Sequence, residues 1–351
     1  MQQAKMSASD IRDAITENPK MRARDLAHKL DLAEADLVAA QVGHGTTAIA
    51  AHPDKIMPAL TALGEVMALT RNASCVHEKV GTYDNYHAGE HAAMILTPEI
   101  DLRIFPSHWK HAFAVETPMQ DGGVRRSVQV FDAAGDAVHK VYLREGSDLA
   151  AWDAMTSALA TGDEAQNLTL AERQPAEAPK SREDKLDVLR AEWDRLTDTH
   201  QFLRLCAKLK MNRLGAYRIA GAPYVRPLAL DAADRMLEGV RDTGLHAMVF
   251  VGNRGCIQIH NGPVHQLREM GPWQNVMDPD FNLHLRRDHI SEIWAVNKPT
   301  QRGMVRSVEA FGADGSLIFQ TFPVAKEGND HRAAWQDVFD GLKTLQTEAA
   351  Q

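Results

Sequence analysis

Apolar residues spaced three and four apart, as at Leu186, Leu189, Trp193 and Leu196, predict an amphipathic helix. Elsewhere the pattern changes to alternation. Ile100-Asp101-Leu102-Arg103-Ile104-Phe105 and Phe281-Asn282-Leu283-His284-Leu285 carry an apolar residue at every second position, the period of a half-buried strand. Polar turns at Asp132 to Gly135 and Gly312 to Gly315 separate apolar runs and predict hairpins, each followed by a helix that carries Trp152 or Trp335. Strands grouped together, with helices at the ends, predict an α+β fold with largely antiparallel sheets.

The pattern occurs twice. Asn72 and Cys75 recur as Asn253 and Cys256, and the same shift of 181 relates Pro98 to Pro279, Leu102 to Leu283, Ala114-Val115 to Ala295-Val296 and Pro118 to Pro299. A shift of 180 relates Arg126-Ser127-Val128 to Arg306-Ser307-Val308, Phe131 to Phe311 and Gly135 to Gly315; a shift of 183 relates Ala150-Ala151-Trp152 to Ala333-Ala334-Trp335. The period far exceeds the roughly 20–50 residues of solenoid repeats, so the chain reads as a tandem duplication of one domain. The predicted units are residues 1–160 and 182–351. The Glu-, Gln-, Ala- and Pro-rich stretch 161–181 is read as a linker, and a cleft between the halves is the expected ligand site.

The 351-residue length suits two domains, and 44% hydrophobic and 25% charged residues are ordinary for a globular protein. A formal net charge of −8 argues against a general nucleic-acid binder. Cys75, Cys206 and Cys256 form no CxxC pair, which excludes a zinc ribbon and a covalent CxxCH haem attachment. The N-terminal stretch lacks the apolar core of a signal peptide, and no apolar run reaches membrane-spanning length. A cytoplasmic protein without membrane insertion is expected.

Histidines are the main candidates for chemistry. His87 and His91 are four apart, but Asn85-Tyr86 and Ala88-Gly89 around them favour a loop or strand entry, so polar loop histidines are expected rather than a zinc pair. His108, Trp109 and His111 could line a cleft, with surface positions between strands the simpler reading. His200 stands in Thr197-Asp198-Thr199-His200-Gln201-Phe202-Leu203, where Thr or Asp can cap a new helix. In the first turn the helix dipole favours the neutral ring, the form that ligates iron. Leu205, Lys208 and Leu209 match Leu26, Lys29 and Leu30 at a shift of 179, which sets His200 opposite Met21 and implies one ligand rather than two.

Lys79-Val80-Gly81-Thr82-Tyr83, Leu102-Arg103-Ile104-Phe105, Thr199-His200-Gln201-Phe202, Val251-Gly252-Asn253-Arg254-Gly255-Cys256, Trp294 and Asn297-Lys298-Pro299-Thr300 occur in one order, and with the tandem repeat they resemble the bacterial hemin-degrading factor family of the HemS type. The resemblance covers nearly the whole chain and implies haem b as ligand or substrate. It implies that His200 is the proximal iron ligand and that Arg103 reaches over the distal face, the catalytic position if the protein is an enzyme. It also implies that Arg213 and Lys298 meet the propionates and that Phe105 and Phe250 wall the macrocycle. The family's tyrosine and arginine near the last hairpin are here Phe322 and Ala325, with Lys326 adjacent, which bears on haem affinity and orientation.

Two activities follow from the resemblance. One is a shuttle that takes haem from an inner-membrane importer and passes it to a haem oxygenase. The other is ring opening that releases iron, supported by a reductase. Either is a role in iron acquisition. A distant alternative is a DNA-binding regulator, from the helix-turn-helix-like spacing of residues 9–41, although Glu34 and Asp36 would then face the groove.

Overall fold

A computed structural model describes residues 6–119, 121–326 and 328–346. The described residues up to Arg71, with Glu78–Gln174 and Gly252–Gln258, form one compact unit. Asn72–His77, Pro175–Val251 and the described residues from Ile259 onward form a second. The duplication is therefore real at the level of the fold, but the division does not follow the chain simply. Each unit incorporates a short piece of the other repeat, and the two pieces are those that carry the matching Asn-to-Cys motifs.

In the first unit five antiparallel strands lie in the order Thr46–Ile49, His111–Pro118, Val124–Phe131, Ala137–Leu143 and Glu65–Arg71. In the second the order is Val225–Leu228, Glu292–Thr300, Gly303–Phe311, Leu317–Pro323 and Ala247–Gly252. Even the irregularities repeat: the register slips between Val130 and Phe131 in one unit and between Ala310 and Phe311 in the other. Each unit also holds a smaller antiparallel meander, Tyr86–His87, Ala93–Leu96 and Asp101–Ile104 in the first and Leu267–Met270, Trp273–Met277 and Phe281–Arg286 in the second.

Both faces of these five strands of the second unit are covered. Ile293 and Ala295 pack with Met236, Leu237, Trp335 and Phe339 from the helices Ala232–Thr243 and Arg332–Gly341. Trp294 and Val296, of opposite parity, pack with Trp193, Phe202, Leu214 and Tyr217 from the helices Leu186–Trp193, Gln201–Lys208 and Arg213–Ala220. A strand buried on both faces cannot alternate cleanly in hydropathy, which is why Glu292–Thr300 contains the run Ile293 to Val296.

The stretch 161–181 has no helix or strand, and its first part is anchored. Gln166 Nε2 donates to the Val42 carbonyl at 2.8 Å, Arg173 pairs with Asp136 at 2.6 Å, and Leu168 packs against Ala35 and Phe131; the division falls at Gln174. The helix-turn-helix reading fails on burial. Helix Glu34–Ala39 is buried along its whole length, with Glu34 held by Arg71 and Lys140, so it offers no face to a groove. Trp109 is likewise not a surface residue; it is buried, and its indole N–H donates to the Gly255 carbonyl at 3.0 Å.

The Asn motifs pin these loops. Asn253 Oδ1 accepts the amides of Gly255 and Cys256, while Nδ2 donates to the carbonyls of Arg71 and Val138. Asn72 does the same with Ser74, Cys75 and the Ile318 carbonyl. Because truncation strands several backbone groups at once, Asn253→Ala is expected to cost about 1–3 kcal/mol in urea-induced unfolding; an unchanged midpoint and slope would refute this account of the motif.

Candidate functional site

The strand Gly303–Phe311 carries Ser307 and Glu309 toward the helix Arg213–Ala220. Glu309 is fully buried and accepts from four donors: Arg213 Nη1 at 3.0 Å, the Tyr217 hydroxyl at 2.9 Å, Lys298 Nζ at 2.9 Å and Ser307 Oγ at 2.8 Å. Lys298 also donates to the Tyr217 hydroxyl at 2.9 Å. Burial by itself would raise the Glu309 pKa, but Lys298 and Arg213 outweigh it and hold the carboxyl at about 2. Burial pushes the Lys298 pKa down, with Glu309 opposing. Two cations against one carboxylate leave the cluster with a net positive charge. Arg213 spends only one guanidinium nitrogen on it.

The first repeat lacks this charge. At the matching shift of 180 stand Ser127 and Gln129, a neutral pair in which Gln129 Nε2 donates to Ser127 Oγ at 3.0 Å. The cluster therefore belongs to one copy only.

His200 reaches the same neighbourhood through its helix. It occupies the N-cap of Gln201–Lys208, and two residues on Phe202 stacks on Tyr217 with ring centroids 5.5 Å apart, while Lys298 Nζ lies 5.0 Å from the Phe202 ring centre. The expected side-chain cap from Thr or Asp is replaced by a different device. Asp198 Oδ1 accepts the backbone N–H of His200 at 2.7 Å and lies 2.6 Å from its ring Nδ1, and Gln201 makes two bonds back to Thr197. These contacts hold the Asp198 carboxyl below the usual range, the His200 amide first and its ring second. With Nδ1–H directed at a carboxylate, the lone pair falls on Nε2. Nε2 has no protein partner among the described residues, and the side chain is 89% exposed.

The other candidates are distributed differently. Phe250, half-buried on Ala247–Gly252, meets Phe322 edge to face at 5.1 Å. Arg103 belongs to the first unit, where it pairs with Asp101 and donates to the Leu102 carbonyl. Phe105, also in that unit, is half-buried, and its amide donates to the Gly255 carbonyl at 3.0 Å. Ala325 is exposed in a two-stranded hairpin with Asn329–Asp330. Among the described residues no group of three or more His, Cys, Asp or Glu side chains could hold a bare metal ion.

Two features escaped sequence reasoning. Glu309 was visible as a lone carboxylate in the apolar run Val308 to Phe311, where the other copy has Gln129. His139 lies between Val138 and Lys140 in a strand; it is buried, bonded to Thr70 and Tyr83, near Cys256, and burial pushes its pKa down to about 3.

The model of the haemin-degrading HemS.ChuX domain matches residues 31–159 and 210–342. The chain belongs to the HemS family. The hemin transport protein HemS of Yersinia enterocolitica is 37% identical over 327 residues, which cover 92% of this chain and 93% of that one. Among solved structures, holo-PhuS, a heme-binding protein from Pseudomonas aeruginosa, superposes with a TM-score of 0.91 at 40% identity, covering 97% of this chain and 100% of that one. ChuS, described as an E. coli heme oxygenase, gives 0.84 at 34% identity, covering 94% and 99%. The HemS domain matches contain Arg103, Phe105, Arg213, Phe250 and Lys298, but His200 precedes the second match.

Glu309→Gln would leave Lys298 and Arg213 buried without a counter-charge, at an expected cost of about 3–5 kcal/mol. The wild-type carboxyl sits below its ordinary value of 4.5, so its contribution is complete above that pH and disappears as the pH falls toward 2. Denaturation from pH 5 to 2.5 should therefore show a shallower acid slope in the variant, and parallel slopes would contradict the charge assignment.

Proposed function

We propose that this chain is a cytoplasmic haem-binding protein that receives imported haem, and that His200 Nε2 is its iron ligand. One observation carries this reading: an exposed imidazole whose Nδ1 is anchored on Asp198, leaving Nε2 as an outward-facing donor. Metal-binding histidines commonly have such a carboxylate behind them, which orients the ring. The relatives support it, being described as hemin-transport, heme-binding and heme-oxygenase proteins.

The remaining residues fit the chemistry of the group. Haem has an apolar macrocycle, two carboxylates at one edge and an iron that supplies the redox chemistry. Arg213 keeps guanidinium N–H groups beyond the one given to Glu309, and Lys298 keeps one N–H beyond Tyr217 and Glu309. Both can donate to propionates, and the net positive cluster favours an anion. Phe250 supplies an aromatic wall. The same residues suit a shuttle, which takes haem from an inner-membrane importer and releases it to an oxygenase. The likeness to ChuS favours ring opening as the second reading, with Phe105 as a further wall and Arg103 as the residue that would donate to a ligand on iron.

Hemin titration followed in the Soret region tests the assignment. Wild type should saturate at one haem per chain, His200→Ala should lose or shift the band, and Asp198→Ala should bind about tenfold more weakly. An unchanged band in His200→Ala would refute the ligand. Ascorbate under air then separates the activities. Decay that catalase prevents is expected of a shuttle, whereas decay that survives catalase and slows in Arg103→Ala identifies an enzyme.

A further inference from the structure

The opposite face of the sheet from Lys298 carries a second asymmetry between the repeats. In the first unit Glu116 stands across the strand pair from Arg126, whose Nε lies 2.7 Å from Glu116 Oε1. Trp152 Nε1 donates to the same oxygen at 3.0 Å. In the second unit the same ladder position pairs Asn297 with Arg306. Here the amide turns away: Asn297 Nδ2 donates to the Pro223 carbonyl at 2.7 Å, and Trp335 Nε1 donates to the Arg306 carbonyl at 3.0 Å. The Arg306 guanidinium makes no ion pair among the described residues, and Asn297 Oδ1 is buried without a hydrogen bond.

Both groups line a cavity of about 530 Å³ whose walls include Tyr224, Val225, Pro299, Met304 and Phe339. The two acids at its edge each accept one hydrogen bond, Asp194 from the Tyr224 hydroxyl at 3.0 Å and Asp340 from Gln336 Nε2 at 3.3 Å. Arg226, also in the lining, is tied to the carbonyls of Phe339 and Leu342. The Arg306 guanidinium and the apolar walls are what the cavity offers a ligand, in a volume suited to a small molecule.

We propose that this cavity binds a small aromatic carboxylate. Its carboxylate takes, at Arg306, the place that Glu116 takes at Arg126, and its ring lies against the apolar walls. An arginine fork matches a carboxylate bidentately, and the apolar lining selects a ring over a hydrated ion. The site lies on the face away from Lys298 and Arg213 and does not rest on the haem reading.

Calorimetric titration with indole-3-acetate, indole-3-propionate and benzoate tests it, with the neutral tryptophol as control. Saturable one-to-one binding is expected for at least one indole acid, with tryptophol and the Arg306→Gln variant each weaker by about tenfold or more. Asn297→Glu should rebuild the first repeat's ion pair, leave the melting temperature unchanged or higher, and abolish binding. Absence of saturable binding by all three acids up to about 5 mM would overturn the proposal, since the weakest useful site falls in that range. Binding that persists in both Arg306→Gln and Asn297→Glu would overturn it as well.

Discussion

A single carboxylate placed inside an apolar sheet sets the terms for the second unit. Glu309 has no access to water, so its charge exists only because Lys298, Arg213, Tyr217 and Ser307 surround it with donors. Each donor comes from a different position: two from the helix Arg213–Ala220, one from the adjacent strand, one from two residues back on its own strand. Satisfying one group therefore fixes helix against sheet. It also fixes the helix Gln201–Lys208, because Phe202 packs on Tyr217 and under the Lys298 ammonium. His200, at the start of that helix, inherits its position from a charge it never touches.

The arrangement separates two jobs that a single histidine cannot do alone. The iron ligand proposed for this chain needs a lone pair facing outward and a ring that does not rotate. Asp198 provides the second by holding Nδ1, at almost no cost in burial, and the buried cluster provides a rigid base beneath. The second unit thus rests on a network that excludes water, while the His200 ring itself remains exposed.

Duplication supplies the comparison that makes these features readable. Both units share strand order, register slips and the asparagine-pinned loops. Where they differ, the difference is chemical. Glu309 replaces Gln129, and Asn297 replaces Glu116, one substitution adding a charge to the interior and the other removing an acid from the opposite face. The first unit spends its own buried polar groups differently, on Glu34 with Lys140 and Arg71, and on His139 with Thr70 and Tyr83.

Hydropathy period, turn residues and internal repetition determined the α+β class, the antiparallel sheets, the tandem units and the final Trp-bearing helices, because these depend on local spacing and on residues matched in order along the chain. The family resemblance also singled out His200, Arg213 and Lys298. The sequence could not say that Asn72–His77 and Gly252–Gln258 each complete the other repeat's unit, since that pairing depends on contacts far apart in the chain. Nor could it say that Arg213 and Lys298 share Glu309, or that Asp198 holds the His200 ring instead of capping the helix. A lone carboxylate in an apolar run is costly anywhere in the interior; only the tertiary structure decides which cations arrive to neutralise it.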